Sequence, residues 1–163
     1  MPTATYNLIY STTLAATTSE VVFGSLPQTY RDLVLVHTGT STNTSVNSLQ
    51  VRLNNDSGSN YLQLLLASDA GSVTSASFTD TGFICGYTIN TGGLANIAQI
   101  MDYSATNKHK AMISRHNALP ESRVRSIAGR WANTAAVTSL LCRVDSGASF
   151  NAGTTLALYG IIS

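Results

Sequence analysis

The chain has 163 residues, of which 10% are charged, 44% hydrophobic and 7% aromatic, with a formal net charge of +1. Ordinary soluble proteins carry about 25% charged residues, so this near-neutral, Ser-, Thr- and Asn-rich surface argues against a general nucleic-acid binder and gives an enzyme little with which to steer or ionise a substrate. There is no run of about 18 apolar residues, and Met1–Tyr6 lacks a basic region followed by an apolar stretch, so neither a transmembrane helix nor a signal peptide is expected.

A chain of this length is expected to form one domain over residues 1–163 and to bury roughly 70% of its unfolded surface, without a metal or disulfide staple. The pattern along it is β throughout. Tyr6–Tyr10 alternates, which places Tyr6, Leu8 and Tyr10 on one face. Glu20–Phe23 follows, with Val21 and Phe23 together. Tyr30–Thr38 contains Leu33-Val34-Leu35-Val36, apolar on both faces, the mark of a central strand. Leu49, Val51 and Leu53 alternate with Gln50 and Arg52, which predicts one wet face. Tyr61–Ala67, Ile84–Ile89, Ala95–Tyr103, Lys108–Arg115, Val124–Trp131, Val137–Val144 and Thr154–Ile162 complete the strands.

The punctuation between these blocks agrees. Asn54-Asn55-Asp56-Ser57-Gly58, Thr91-Gly92-Gly93, Asp145-Ser146-Gly147 and Asn151-Ala152-Gly153 are turn sequences. Pro2, Pro27 and Pro120 all fall outside the strand blocks, where a missing N–H does no damage. Ala67–Thr81, rich in Ser, Ala, Gly and Asp, lacks clear periodicity and reads as a long exposed loop. The last strand is expected to pair inside a sheet. Many short strands with regular turns predict an all-β fold: a single-domain antiparallel β-sandwich of jelly-roll type with about ten strands.

Catalytic chemistry is not visible. His37, His109 and His116 lie in no H-E-x-x-H pattern, and no C-x-x-C, G-x-S-x-G or phosphate-binding glycine loop occurs. His37 ends an apolar strand and reads as satisfied by water or backbone. The acids Glu20, Asp32, Asp56, Asp69, Asp80, Asp102, Glu121 and Asp145 are scattered, with no reason to choose a catalytic pair. No enzyme activity, cofactor or metal is therefore expected. Asp56–Asn60 has the alternating oxygens of a calcium loop but no closing Glu, and reads as a hairpin turn. Cys85 and Cys142 sit in apolar stretches and read as buried thiols, with a single disulfide possible in principle. The sequons at Asn43 and Asn55 read as chance matches without secretion.

The basic residues are unevenly placed. Lys108, Lys110, Arg115, Arg123, Arg125 and Arg130 fall within 23 positions, with His109 and His116 among them and Glu121 as the one acid. If Lys108–Arg115 and Val124–Trp131 pair through the Asn117–Ser122 turn, they form one basic patch. That patch is either a footing on an acidic protein surface or a solvated strand pair whose charges prevent aggregation. Trp131 is the one ring nearby, too few for single-stranded nucleic acid, and reads as an anchor of a core or an interface.

Four stretches, 28–36, 52–61, 129–140 and 150–161, carry a resemblance. They read QTYRDLVLV, RLNNDSGSNY, GRWANTAAVTSL and FNAGTTLALYGI. Together they resemble small tailed-bacteriophage virion structural proteins, with the closing Leu158-Tyr159-Gly160-Ile161 the most recognisable part. The resemblance implies a structural role on a β-sandwich and no catalytic residues. It points to a capsid cement (decoration) protein on the capsid exterior, made in the host cytoplasm. Its partners would be the major capsid protein and further copies of itself, as a homotrimer or alternatively a homodimer, with no nucleic acid and no membrane. The candidate footing is Lys108, Lys110, Arg115, Arg123, Arg125 and Arg130; candidates for subunit packing are Trp131, Tyr159 and Ile161. The alternatives are a tail-associated receptor-binding or fibre-tip module, which would bind host-surface glycans through the Ala67–Thr81 loop and polar turns, and a host-derived or secreted carbohydrate-binding β-sandwich.

Overall fold

The computed structural model describes residues 5–69, 71–92, 94–118 and 123–162. Its strands are β1 (Tyr6–Thr13), β2 (Glu20–Phe23), β3 (Asp32–Gly39), β4 (Asn47–Leu53), β5 (Tyr61–Asp69) and β6 (Ser72–Asp80), then β7 (Phe83–Thr88), β8 (Leu94–Met101), β9 (Lys110–Ala118), β10 (Arg123–Trp131), β11 (Leu140–Val144) and β12 (Thr155–Ile161). They form an eight-stranded sheet, β1-β12-β3-β8-β9-β10-β5-β6, and a four-stranded sheet, β2-β11-β4-β7. Every pairing is antiparallel.

The strand order is that of a jelly roll. β1–β12, β12–β3 and β3–β8 in the large sheet are matched by β2–β11, β11–β4 and β4–β7 in the small one. The chain is thus one long antiparallel ribbon, rolled so that its connections cross from sheet to sheet. Two hairpins, β5–β6 and β9–β10, are inserted into this roll and widen the large sheet to eight strands.

Every block read as a strand from the sequence is one, and β6 is the addition. The stretch 67–81 is therefore not a loop. It is the end of β5 and all of β6, which pair without interruption from Tyr61↔Asp80 to Asp69↔Ser72. Most of β6 is exposed, so no apolar alternation was needed to hold it and none marked it in the sequence.

Two further expectations change. Tyr6, Leu8 and Tyr10 do not share a face, because the β1–β12 register shifts between Leu8 and Tyr10. The bulge leaves Tyr6 and Leu8 outside and turns Tyr10 inward, where its ring stacks on Phe23 with centroids 5.6 Å apart. The predicted wet face of β4 is covered: Gln50 is buried and donates to Asp80 Oδ2 at 3.1 Å, and Arg52 Nε donates to the Thr81 carbonyl at 3.1 Å.

The core lies between the sheets. Leu33, Leu35, Leu156 and Leu158 of the large sheet meet Leu49, Val51, Leu53 and Leu140 of the small one. Cys85 and Cys142 are free, buried thiols within this core, and burial pushes the Cys142 thiol up to about 12. At one side of the small sheet, β7 has no further strand to pair with. Side chains of the large sheet take that place. Gln63 accepts from the Ile84 N–H at 2.8 Å and donates to the Gly82 carbonyl at 3.0 Å. Ser114 Oγ donates to the Ile84 carbonyl at 3.1 Å, and Asn96 Nδ2 donates to the Tyr87 carbonyl at 3.0 Å. Backbone groups that would otherwise be buried without partners are satisfied in this way.

Candidate functional site: the outer face of the eight-stranded sheet

The period-2 alternation of a strand divides the large sheet into an inner face against the core and an outer face. On β5, Tyr61, Gln63 and Ala67 are buried, while Leu62, Leu64 and Leu66 are exposed. The pairing register carries that outer face across the sheet. Val124 stands opposite Ser68 and Ala128 opposite Leu64 on β10; Ile113 pairs with Ala128 on β9, and Ile97 with Arg115 on β8. Val73 of β6 lies opposite Ser68. Among the described residues, every exposed large apolar side chain except Val22 and Ile162 belongs to this face: Tyr6, Leu8, Leu62, Leu64, Leu66, Val73, Ile97, Ile113 and Val124.

Such concentration is not the scatter of single apolar residues that any protein surface shows. A contiguous exposed apolar patch marks a surface that meets another molecule. It holds a depression of about 720 Å³, lined by Leu66, Val73, Ala95, Ile97, Arg115 and Val124 among others. A second depression of about 370 Å³ lies over Leu62, Leu64 and Arg130. The charged groups exposed here are Arg115 and Arg130; among the described residues no exposed carboxylate lies on this face. Asp32 belongs to it by register, but is buried and takes hydrogen bonds from Arg31, Gln99 Nε2 and the Asp102 N–H.

The six basic residues expected to make one footing are separated. β9 and β10 do pair as expected, with Arg125 opposite His116 and Ser126 opposite Arg115; residues 119–122 of the turn lie outside the described residues. That register puts Arg115 and Arg130 on the outer face but Arg123 and Arg125 on the inner one. The Arg125 guanidinium sits 4.6 Å over the Tyr87 ring. Lys108 lies beyond the strand, in an exposed 3.1 Å pair with Asp102. Lys110 is buried and cannot be a footing. Its Nζ donates to the carbonyls of Ala105 at 2.7 Å, Lys108 at 3.0 Å and Thr134 at 3.2 Å. Burial pushes its ammonium pKa down, opposed by the Asp102 carboxylate and aided by the Lys108 charge.

The three residues expected at a subunit interface also divide. Trp131 is 1% exposed and stacks near Tyr61 inside the core, so it has no surface to offer a second subunit. Ile161 is buried as well. Tyr159 is half-buried on the outer face, opposite Leu8 and Val34.

The inner face carries two buried histidines, His37 and His116. His37 meets a side chain rather than the backbone: its Nδ1 lies 2.9 Å from Asn96 Nδ2. His116 packs against Tyr87 with centroids 4.8 Å apart and finds no hydrogen-bond partner among the described residues. Burial pushes each ring down to about 4, with the Arg125 charge adding to the shift of His116. No grouping of three or more His, Cys, Asp or Glu that could hold a metal occurs among the described residues. Asp56 is a turn residue: it accepts from the Gly58 N–H at 2.8 Å, Asn60 Nδ2 at 2.9 Å and Trp131 Nε1 at 2.7 Å. That turn joins β4 to β5, which lie in different sheets, and is therefore a crossover and not a hairpin.

No protein-family model and no curated protein matches this chain. Among solved structures, it is similar to alginate lyase Aly36B in complex with alginate trisaccharide, at 9% identity and a TM-score of 0.36, over 93% of this chain and 80% of the lyase. The same lyase without a described ligand gives 10% identity and a TM-score of 0.28, over 91% and 78% of the two chains. Scytalido-glutamic peptidase gives 10% identity and a TM-score of 0.20, over 91% and 66%.

Proposed function

We propose that this protein is a phage virion structural protein that binds other protein through the outer face of its large sheet, as a cement protein on the exterior of the capsid shell. The observation that carries the reading is the gathering of Leu62, Leu64, Leu66, Val73, Ile97, Ile113 and Val124 on one side of one sheet. A rigid face of this kind gains by excluding water over a wide area and needs no moving part. Arg115 and Arg130, with no exposed carboxylate beside them among the described residues, suit a partner surface that presents apolar side chains and carboxylates. The resemblance of 28–36, 52–61, 129–140 and 150–161 to phage virion proteins supplies the class of partner: the major capsid protein. Binding across a junction between capsomers would stabilise the assembled shell by mass action, because the site exists in the assembled state alone.

The glycan-binding alternative relied on a long loop at 67–81, where the chain instead forms the end of β5 and all of β6. Co-sedimentation with empty, mature capsids tests the proposal. The protein is expected to bind at moderate salt and to raise the temperature at which the shells break. Leu64→Asp and Val124→Asp are expected to abolish both effects. Failure of the unaltered protein to bind such shells would overturn the reading.

A further inference from the structure

The two sheets have four edges, and three carry a recognisable protection. β1 is broken by the bulge at Ile9. β2 has four residues and begins with Glu20. β7 is covered by Gln63, Asn96 and Ser114 from the opposite sheet. β6 has none of these. It runs nine residues, its register with β5 is unbroken, and it is hydrogen-bonded on one side only. Positions 72–79 read SVTSASFT, with no charge, proline or glycine. Val73 is 81% exposed, more than any other large apolar side chain among the described residues. A long, unbulged edge whose one charged residue, Asp80, stands at its very end is a template for a further strand, and folded proteins ordinarily blunt such edges.

We infer that β6 pairs with β6 of a second copy of this chain, antiparallel and about a two-fold axis. The strand is complementary to itself. An axis through a residue near its centre, such as Ala76, sets Ser75 opposite Ser77, Thr74 opposite Phe78 and Val73 opposite Thr79. Small and hydroxyl side chains face one another and no like charges meet. Both copies keep their outer faces on the same side, because directly opposed residues in an antiparallel pair share a face. The result is one continuous sheet with eight strands from each copy, in which the apolar stretch from Leu62 to Val73 is doubled. A two-fold, isologous contact closes at the dimer and leaves no β6 edge free for further growth. Strand pairing alone is a small interface, so the dissociation constant is expected in the range of roughly 1–100 µM. The inference stands apart from the identity of the partner on the outer face.

Sedimentation of the full chain across that concentration range, with amide exchange read at high and low concentration, tests it. A monomer–dimer equilibrium is expected, with the edge-facing amides of β6 protected in the dimer and exchanging freely in the monomer. Ser75→Lys with Ser77→Lys is expected to weaken association roughly 100-fold, since like charges would then face one another. Ala76→Cys is expected to form a covalent dimer on mild oxidation, while Ser11→Cys on β1 is not. A chain that stays monomeric at every concentration, a dimer indifferent to the paired lysines, or open-ended aggregates in place of a dimer would each overturn the inference. Leu64→Asp separates the two readings, because it should end capsid binding and leave the dimer intact.

Discussion

The indole N–H of Trp131 donates to Asp56 Oδ2 at 2.7 Å, which ties the end of β10 to the crossover between the sheets. The contact joins residues 75 positions apart. Tyr61, whose hydroxyl accepts from the Leu53 N–H at 2.9 Å, stacks on the same indole. Burial pushes the Asp56 carboxyl up, but the bonds from Trp131, Asn60 and Gly58, with the Arg52 charge, hold it below the usual carboxylate range.

Asp56→Ala removes the acceptor of all three donors and leaves the Trp131 N–H unpaired, so a loss of about 2–3 kcal/mol is expected at neutral pH. Because the folded carboxyl has the lower pKa, the stability it contributes is present above its ordinary value of 3.8 and is lost as pH falls through the folded value. Urea unfolding followed by Trp131 fluorescence reads both effects. Equal midpoints for the two proteins at pH 7 would refute the role of this contact.

His37 and His116 are held neutral, each at about 4 against 6.5 for the free ring. Between these values the unfolded chain binds more protons, so stability declines as pH falls from 6.5 towards 4 and levels off below that. The loss is on the order of 3 kcal/mol for each ring. A series of urea midpoints from pH 7 to pH 4 should show this decline. His116→Phe should flatten it by about one proton's worth of slope; an unchanged slope would show that His116 does not contribute.

Gln63→Leu keeps the volume of the side chain and strips its bonds to Ile84 of β7 and to Gly82 just before that strand. With the Ile84 N–H and the Gly82 carbonyl left buried and unpaired, the expected cost is about 2–4 kcal/mol. Exchange of the Ile84 amide should accelerate more than that of residues in β12. Retention of full Ile84 protection would mean that this edge has another cover.

Gly160 lies beneath Tyr30: a Cβ at that position would stand 2.3 Å from the ring. Gly160→Ala is therefore expected to destabilise by about 1–3 kcal/mol through overpacking. Tyr30→Ala in the same chain should relieve the clash, so the double variant should lose less than the sum of the single losses. Strict additivity would show that the two residues do not meet.

The outer face should behave oppositely. Val124→Asp and Leu64→Asp remove no core contact, and each is expected to shift stability by no more than about 0.5 kcal/mol. Their effect should appear in partner binding alone. A loss of several kcal/mol in the isolated protein would mean that this face is part of the protein's own packing.

Much of the fold was legible because alternation is a local property. Leu33-Val34-Leu35-Val36 marked an interior strand whatever its neighbours, and β3 is one. The Asn, Asp and Gly clusters marked the breaks, and Asn54 and Asn55 do adopt positive φ in theirs. β6 escaped notice because an edge strand exposed on both faces carries no burial pattern to read. The bulge in β1 escaped because it arises from pairing with β12, and it reversed the facing of Tyr10.

The sequence by itself determined that this would be an all-β sandwich with a nearly neutral, hydroxyl-rich surface, and it located the basic cluster at 108–130. Only the tertiary structure decided which side chains share a surface. Register between β5, β10, β9 and β8 gathers Leu64, Ala128, Ile113 and Gln99 into one row. The same register divides Arg115 and Arg130 from Arg123 and Arg125, and packing closes over Trp131 and Lys110. A sheet face is assembled from strands distant in the chain, so a one-residue change in parity moves a side chain from solvent to core without altering its local sequence.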